Sequence, residues 1–237
     1  MTDPSNLDPA ETSKFNQHAS QWWDPEGPLR TLHEINPVRL EFIAQQTSLP
    51  GKQIVDIGCG GGVLSEAMAR SGGQVLGVDL ADQAIETAQL HSLESGVSVK
   101  YQLIDSAQLA QQRPGEFDVV TCMELLEHVP DPAAVVADCY NLAKPGGWVF
   151  FATLNRSPMA FAQAIVIAEH LLQLLPRGTH DYARLIKPSE LARWCRATGL
   201  EVIHIRGLGY NPVTHSASLR ANCSVNYLIA TRKPVEA

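Results

Sequence analysis

A glycine-rich stretch at residues 56–62, with the sequence DIGCGGG, combines residue types that are suited to ligand binding. Glycines let the backbone pass close to a ligand, and the free amides at the start of a following helix offer hydrogen bonds to it. The dinucleotide fingerprint G-x-G-x-x-G, counted from Gly58, requires glycine at the position of Val63. Asp56 suits a cationic group, such as an ammonium, better than a pyrophosphate. We therefore predict a ligand site at Asp56, Gly58 and Gly60.

A second carboxylate, Asp79, closes the next apolar run along the chain. At the end of a second parallel strand, a carboxylate can accept hydrogen bonds from both hydroxyls of a ribose. Dinucleotide sites share this feature. Asp79 therefore predicts a ligand that contains a nucleoside, but it does not distinguish a dinucleotide from a nucleoside ligand with a cationic group.

A third candidate group consists of Glu124, Glu127 and His128, whose i, i+3, i+4 spacing places them on one side of a helical turn. Such a set can hold Mg²⁺, although histidine is an unusual ligand for so hard an ion. In the absence of a metal, His128 is the first candidate for a general base. His180 is the second, because the adjacent Asp181 can orient and charge it. A histidine that is merely hydrogen-bonded in a loop is the alternative at both positions.

Short apolar runs that alternate with helical windows must position these residues. The predicted strands are 53–57, 74–79, 97–104, 117–122, 148–153, 200–206 and 225–232, and the predicted helices are 29–47 (with a break at Pro37), 63–70, 82–93, 132–143 and 188–198. This alternation implies right-handed crossovers and an α/β fold with a seven-stranded, mostly parallel sheet and helices on both faces. Ligands of such sheets bind at the carboxyl ends of the strands.

The domain organisation follows from where this alternation starts and stops. We predict a disordered lead-in at 1–13 and a single domain at 14–237, with a helical insertion at about 155–187. Within the insertion, 159–175 has one broad apolar face and a polar face opposite. One interpretation is a helix that caps the core, and the other is an amphipathic lid that touches a membrane surface.

Composition bounds the remaining function classes. The chain has 237 residues, with 18 Lys and Arg against 25 Asp and Glu, so its net charge of −7 disfavours nucleic acid as a partner. The 5 cysteines are odd in number and form no C-x-x-C pair, which favours a reducing compartment. The first 13 residues have neither the basic region nor the apolar region of a secretory signal peptide. We therefore predict a cytoplasmic protein.

The glycine loop after Asp56, together with Asp79, resembles the class I methyltransferases that use S-adenosylmethionine (SAM). This resemblance implies the Rossmann-like fold of that class and SAM as the cofactor. It also implies an adenine contact at Asp105 and packing of Met123 against the methionine or adenine portion. Asp105 as a solvated turn residue is the alternative.

Several loops outside the generic fold resemble one family, the O-methyltransferases of ubiquinone biosynthesis. The matching segments are 35–40, 56–62, 121–132, 153–156, 178–181, 186–188 and 210–212. The resemblance implies SAM contacts at Arg39, Gly58, Asp79 and Met123. By itself, Arg39 would be an exposed helix charge.

The same resemblance implies O-methylation of a polyprenyl catechol intermediate and of demethylubiquinol. Such a substrate favours the lid interpretation of 159–175, contact with the inner face of the cell membrane, and association with other enzymes of the pathway. Two alternatives remain: a SAM enzyme with another phenolic or carboxylate acceptor, and a nicotinamide-linked oxidoreductase or nucleotide-binding module.

Overall fold

One twisted sheet organises the chain. The structure, a computed structural model, describes residues 6, 8–161 and 182–235. Their strands are β1 (Gln53–Ile57), β2 (Gln74–Asp79), β3 (Lys100–Leu103), β4 (Phe117–Met123), β5 (Ala143–Leu154), β6 (Glu201–Asn211), β7 (Ser216–Arg220) and β8 (Asn226–Arg232). The strand order is β3-β2-β1-β4-β5-β8-β6-β7. Strands β1 to β5 pair in parallel, and the pairs β5–β8, β8–β6 and β6–β7 are antiparallel.

Helices cover both faces of this sheet. In the described ranges they are α1 (Pro9–Gln17), α2 (Arg30–Ala44), α3 (Val63–Arg70), α4 (Asp82–Ser95), α5 (Ser106–Gln112), α6 (Pro132–Leu142), α7 (Pro158–Ala160) and α8 (Pro188–Thr198). One core cluster packs α6 and α8 against the sheet and includes Phe117, Leu142 and Tyr227. The other packs α2 and α3 against the opposite face and includes Phe42 and Phe150. The predicted α/β fold is thus confirmed.

The sheet has eight strands where the sequence predicts seven. The additional strand, β7, forms a hairpin with β6 at the edge of the sheet. Its sequence, SASLR, alternates polar exposed residues with the half-buried Ala217 and Leu219, but the strand has only five residues and no β-branched or aromatic residue to strengthen the signal. Helix α5 is short and was also not predicted.

The beginning of the chain differs from the predicted disordered lead-in. Residues 9–13 of that segment lie in α1, which starts with Pro9 and is capped by the Asp8 carboxylate, an acceptor for the Ala10 amide at 3.0 Å. No residue of α1 is buried. Polar contacts hold it instead, among them a hydrogen bond of 2.8 Å between Asn16 and Asp82.

The predicted break at Pro37 is wrong, since α2 continues through this residue. Proline removes one backbone donor from a helix interior. The buried face of α2 offsets this loss by packing on the sheet; it is formed by Ile35, Val38, Phe42 and Ile43.

In the described part of the chain, we find no helix with the length and apolar character needed to cross a membrane.

Candidate active site

A cavity of about 800 Å³ opens at the carboxyl ends of β1, β2 and β4. All seven residues predicted to bind the cofactor line it: Arg39, Asp56, Gly58, Gly60, Asp79, Asp105 and Met123. Two of the predicted catalytic or metal-binding residues, Glu124 and His128, line it as well. Of the other two, Glu127 is buried and does not line the cavity, and His180 lies outside the described residues. The parallel topology explains this convergence, because the loops after successive strands meet at one edge.

The glycine loop between β1 and α3 requires its glycines for two reasons. Gly58, Gly60 and Gly62 have φ angles of 70°, 51° and 88°, a region that side chains other than glycine rarely adopt. A Cβ on Gly58 would also lie 2.9 Å from Leu125 Cδ2. The backbone can therefore approach a ligand on the cavity side.

Asp79 is held by three backbone amides. Gly60 donates to its Oδ2 at 2.8 Å, and Leu80 and Ala81 donate to its Oδ1 at 2.7 and 2.8 Å. Burial nevertheless raises the pKa of this carboxyl. The first of these bonds ties the glycine loop to the residue predicted to bind ribose.

Asp56 lies at the end of β1 and is 3% exposed. The Ser65 hydroxyl donates to its Oδ2 and the Thr121 hydroxyl donates to its Oδ1, both at 2.7 Å. Burial raises the pKa of Asp56 to about 6 despite these two bonds and the nearby positive charge of Arg39. A cation in the cavity would favour the charged carboxylate, so the site suits a ligand with a positive group.

Arg39, on α2, is buried rather than exposed, with 5% of its surface accessible. Its Nη2 lies 3.0 Å from Glu124 Oε1, which makes an ion pair. The Nε N–H has no hydrogen-bond partner among the described residues, and the contact of Nη2 with Glu124 is close enough for an ion pair but lacks the geometry of a hydrogen bond. A buried guanidinium with unused donors fits a ligand carboxylate, which such a fork binds well. Together, Arg39 and Asp56 match the two charged groups of a methionine moiety.

Asp105 and Met123 complete the set from β3 and β4. The Asp105 carboxylate accepts from the Gln108 amide at 2.7 Å and so caps α5, while the residue also lines the cavity. Asp105 thus caps α5 and lines the cavity, and its contact with adenine stays a prediction. Met123 is 6% exposed and packs at the end of β4.

Glu124, Glu127 and His128 do not form the predicted metal site in this structure. Glu124 accepts from Asn226 Nδ2 at 3.2 Å and pairs with Arg39, whereas Glu127 accepts from the Thr153 hydroxyl at 2.7 Å. Across the ranges that the structure describes, no three or more His, Cys, Asp or Glu side chains are grouped so that they could hold a metal ion. Burial and the charge of Glu124 hold the pKa of Glu127 well above its usual range.

The backbone explains why the three side chains do not lie on one side of a helical turn, as the sequence predicts. Glu124 has a φ of 58° and lies before the helical turn, which is a 3-10 helix over Leu126–His128. The i, i+3, i+4 rule applies only when all the residues are in one α-helix. Glu124 therefore turns towards Arg39.

His128 interacts with α1. Its Nδ1 lies 2.8 Å from Glu11 Oε2, and its ring meets Phe15 edge to face at a centroid distance of 5.1 Å. The hydrogen bond with His128 lowers the pKa of Glu11 to about 2. The other predicted base, His180, lies outside the described residues.

Two further parts of the cavity wall were not predicted. The β6–β7 hairpin contributes Tyr210, whose hydroxyl donates to Glu34 of α2. Trp22, in the segment between α1 and α2, lines the cavity beside the glycine loop. Adjacent tryptophans in a polar segment are the available signal for Trp22, whereas Tyr210 begins the segment 210–212 that resembles the family but is given no role by the sequence analysis.

Comparison with known proteins first defines the class. A family model described as a methyltransferase domain matches residues 29–205. A magnesium protoporphyrin IX methyltransferase from Synechocystis PCC 6803, solved with bound SAH, matches with a TM-score of 0.70 at 17% identity, covering 94% of this chain and 95% of that one. A putative methyltransferase from Bacillus halodurans matches with a TM-score of 0.62 at 19% identity, covering 82% and 98%. The fold and cavity are those of a class I SAM-dependent methyltransferase.

Curated relatives then identify the family. A ubiquinone biosynthesis O-methyltransferase from Methylococcus capsulatus is 56% identical over 232 residues, which covers 98% of each chain. One from Bordetella bronchiseptica is 58% identical over 229 residues, covering 96% of this chain and 95% of that one. The chain belongs to the ubiquinone biosynthesis O-methyltransferase family.

Proposed function

We propose that this protein transfers a methyl group from SAM to a phenolic oxygen of polyprenyl catechol and hydroquinone intermediates, in both O-methylation steps of ubiquinone biosynthesis. The observation that carries this proposal is the identity of 55–58% over nearly the whole chain to relatives that bear the family name. The size of the cavity supports it, because about 800 Å³ is near the upper end of the range for small-molecule sites and leaves room for an acceptor beside SAM.

The chain's own residues divide the binding of SAM between them. Arg39 binds the carboxylate, Asp56 and the glycine loop at Gly58 face the ammonium, and Asp79 accepts from the ribose hydroxyls. SAM supplies a methyl group on a positively charged sulfur, so the leaving group needs no proton. The protein must therefore align the acceptor oxygen with the methyl group.

The acceptor oxygen must also lose its proton, because a phenol has a pKa near 10. We assign this role to His128, which lines the cavity and whose Nδ1 is held by Glu11. The Glu11 carboxylate orients the ring and stabilises the imidazolium that forms. His180 is the second candidate.

Mass-spectrometric detection of methyl transfer tests this proposal. Purified protein is given methyl-deuterated SAM with a short-chain prenyl catechol, and separately with reduced demethylubiquinone. Labelled product from both acceptors is expected, and Arg39→Ala is the control with impaired SAM binding. If SAM binds but neither acceptor is methylated, the acceptor assignment is wrong and another phenol or a carboxylate takes its place.

The same assay tests the metal hypothesis. EDTA is added, followed by excess Mg²⁺. Activity that is lost with EDTA and restored by Mg²⁺ would show a requirement for the ion, and a raised Mg²⁺ requirement in Glu124→Gln would then assign the ion to the group of Glu124, Glu127 and His128. Unchanged activity would leave the three residues in the pairings described above.

We also propose that the segment 159–175 contacts the membrane surface where a polyprenyl substrate resides. Met159 and Phe161 are its best-described residues, and they are 50% and 46% exposed. Ala160 between them is buried, and residues 162–175 lie outside the described residues. Charged substitutions at Ile165 and Leu172 should reduce binding to anionic vesicles, and unchanged binding would refute the contact.

Association with other enzymes of the pathway would place the enzyme near its substrate, and co-purification from membranes tests this association.

A further inference from the structure

Two adjacent tryptophans, Trp22 and Trp23, clamp the glycine loop, Trp22 as part of the cavity wall and Trp23 from outside the cavity lining. The Trp22 ring lies directly on the loop: a Cβ on Gly60 would be 2.1 Å from its Cζ2, and one on Gly61 would be 2.2 Å from its Cγ. The Trp23 indole N–H donates to the Gly61 carbonyl at 2.8 Å. The loop is thus held by packing and by a hydrogen bond, both from the segment that precedes α2.

The clamp is itself fixed from two sides. Trp22 is 5% exposed and packs with Leu29, Val63 and Ala81, and His33 Nε2 lies 2.7 Å from its carbonyl oxygen. The Trp23 ring stacks on His91 of α4, with the ring centroids 3.4 Å apart and an interplanar angle of 5°.

His91 is in turn held by a buried acid of α3. Its Nδ1 lies 2.7 Å from Glu66 Oε1, and the Glu66 side chain is 1% exposed. The other oxygen of Glu66 accepts from Ser95 at 3.0 Å and from Arg70 at 3.2 Å. The chain of contacts from Glu66 through His91 and Trp23 to Gly61 joins the two helices that flank the loop.

This arrangement matters because glycine backbones are the most costly to order. A loop with three glycines at positive φ gains little from its own residues, so contacts from outside must restrict it. Gly60, which lies under Trp22, also donates to Asp79 at 2.8 Å. A displaced loop would therefore lose both its own backbone contacts to the ligand and its bond to the ribose-binding acid.

We propose that Trp22 and Trp23 are positioning residues for SAM: they hold the glycine loop in its binding conformation, Trp22 from the cavity wall and Trp23 from outside the cavity lining, with His91 and Glu66 as the support of Trp23. Trp23 acts through the loop and need not touch the cofactor. The proposal rests on SAM binding and is independent of which acceptor is methylated.

The test is Trp23→Phe, which keeps an aromatic ring to stack on His91 and removes the indole N–H together with one of the two fused rings. The loss of one neutral hydrogen bond should raise the Kd for SAM about three- to tenfold. The KM for the acceptor should not change, and kcat at saturating SAM should not change. The matched control is Trp148→Phe, since Trp148 stacks on Phe150 on the sheet and does not line the cavity.

A second variant keeps the proposal testable if Trp23→Phe folds poorly. His91→Gln retains an amide donor for Glu66 and removes the stacking surface, so it should raise the Kd for SAM in the same direction. Thermal unfolding of each variant separates weaker binding from lower stability. An unchanged Kd in both variants would overturn the proposal. An equal rise in Kd in Trp148→Phe would also overturn it, because the effect would then be general destabilisation.

Discussion

Replacing Asp56 with asparagine should stabilise the ligand-free protein while weakening its binding of SAM. Burial raises the pKa of Asp56 to about 6, whereas an unfolded aspartate titrates near 3.9. A carboxyl with a raised folded-state pKa contributes most to stability when it is protonated, and this contribution is lost as the pH rises through the folded value. At pH 7.5, the ionised carboxylate therefore lowers the stability of the folded protein, and asparagine removes this penalty.

The size of the effect follows from the pKa shift. A shift of about 2 pKa units corresponds to about 3 kcal/mol. Asparagine also changes the hydrogen bonds, because its NH₂ group cannot accept from the Ser65 or Thr121 hydroxyl. The Thr121 hydroxyl can donate to the Val55 carbonyl, 3.3 Å away, and accept from the new amide. Subtracting about 1 kcal/mol for this rearrangement leaves a gain of about 2 kcal/mol.

The assay is thermal unfolding without ligand, measured from pH 7.5 to pH 4. A gain of about 2 kcal/mol corresponds to a rise in Tm of about 4–8 °C for a chain of this size. The difference between Asp56→Asn and wild type should shrink below pH 6 and cross zero between pH 5 and pH 4, because protonation removes the penalty of the wild type while the cost of the rearranged hydrogen bonds remains. Calorimetry with SAM at pH 7.5 should show weaker binding, because the negative partner of the ammonium is absent.

Two results would refute this reasoning. One is a Tm for Asp56→Asn at or below that of wild type at pH 7.5, and the other is a difference in Tm that does not depend on pH. Asp118→Asn is the control, because the Asp118 carboxylate is partly exposed, accepts from the Gln53 amide at 2.9 Å and lies 3.2 Å from Lys144 Nζ. This second substitution should lower the Tm at pH 7.5.

Three other substitutions probe the site. Gly60→Ala should abolish SAM binding, measured by calorimetry, because its Cβ would overlap the Trp22 ring and its φ is 51°; binding with an unchanged Kd would mean that the loop moves freely. Arg39→Lys should raise the KM for SAM about tenfold or more, because a lysine cannot form two parallel hydrogen bonds to a carboxylate; steady-state kinetics with an unchanged KM would remove Arg39 from the carboxylate site. Glu11→Gln should lower kcat and leave the Kd for SAM unchanged, since it removes the charge that stabilises protonated His128; an unchanged kcat would count against His128 as the base.

The sequence predicts the central part of this molecule well because the central strands carry strong signals. Strands β1 (QIVDI) and β4 (FDVVTCM) are mostly apolar and buried at all but one position each, as expected for strands covered on both faces, and the glycines after β1 can be identified without a structure. The cofactor residues follow from this, since parallel strands bring their carboxyl ends to one edge. The family was identified from loops outside the common fold, and the comparisons confirm it.

Features that depend on long-range contacts were not predictable in this way. Helix α1 has no buried residue, so no apolar periodicity distinguishes it from a disordered segment. The Glu11–His128 pair joins residues 117 positions apart in the chain. The misread acidic turn has a local cause: a single residue, Glu124, adopts a positive φ, and spacing rules cannot anticipate such a change of direction.

The β6–β7 hairpin is a part of the cavity wall that can change without disturbing the rest of the fold. It lies at the free edge of the sheet, and its Tyr210 reaches the cavity while Glu34 holds it to α2 through Tyr210 and His215. Changes in length at such a connection cost little free energy, and no strand beyond β7 would be displaced. Evolution can therefore change the part of the cavity wall around Tyr210 without changing the glycine loop. In protein engineering, an exchange of residues 211–216 between relatives would likewise change this part of the wall alone.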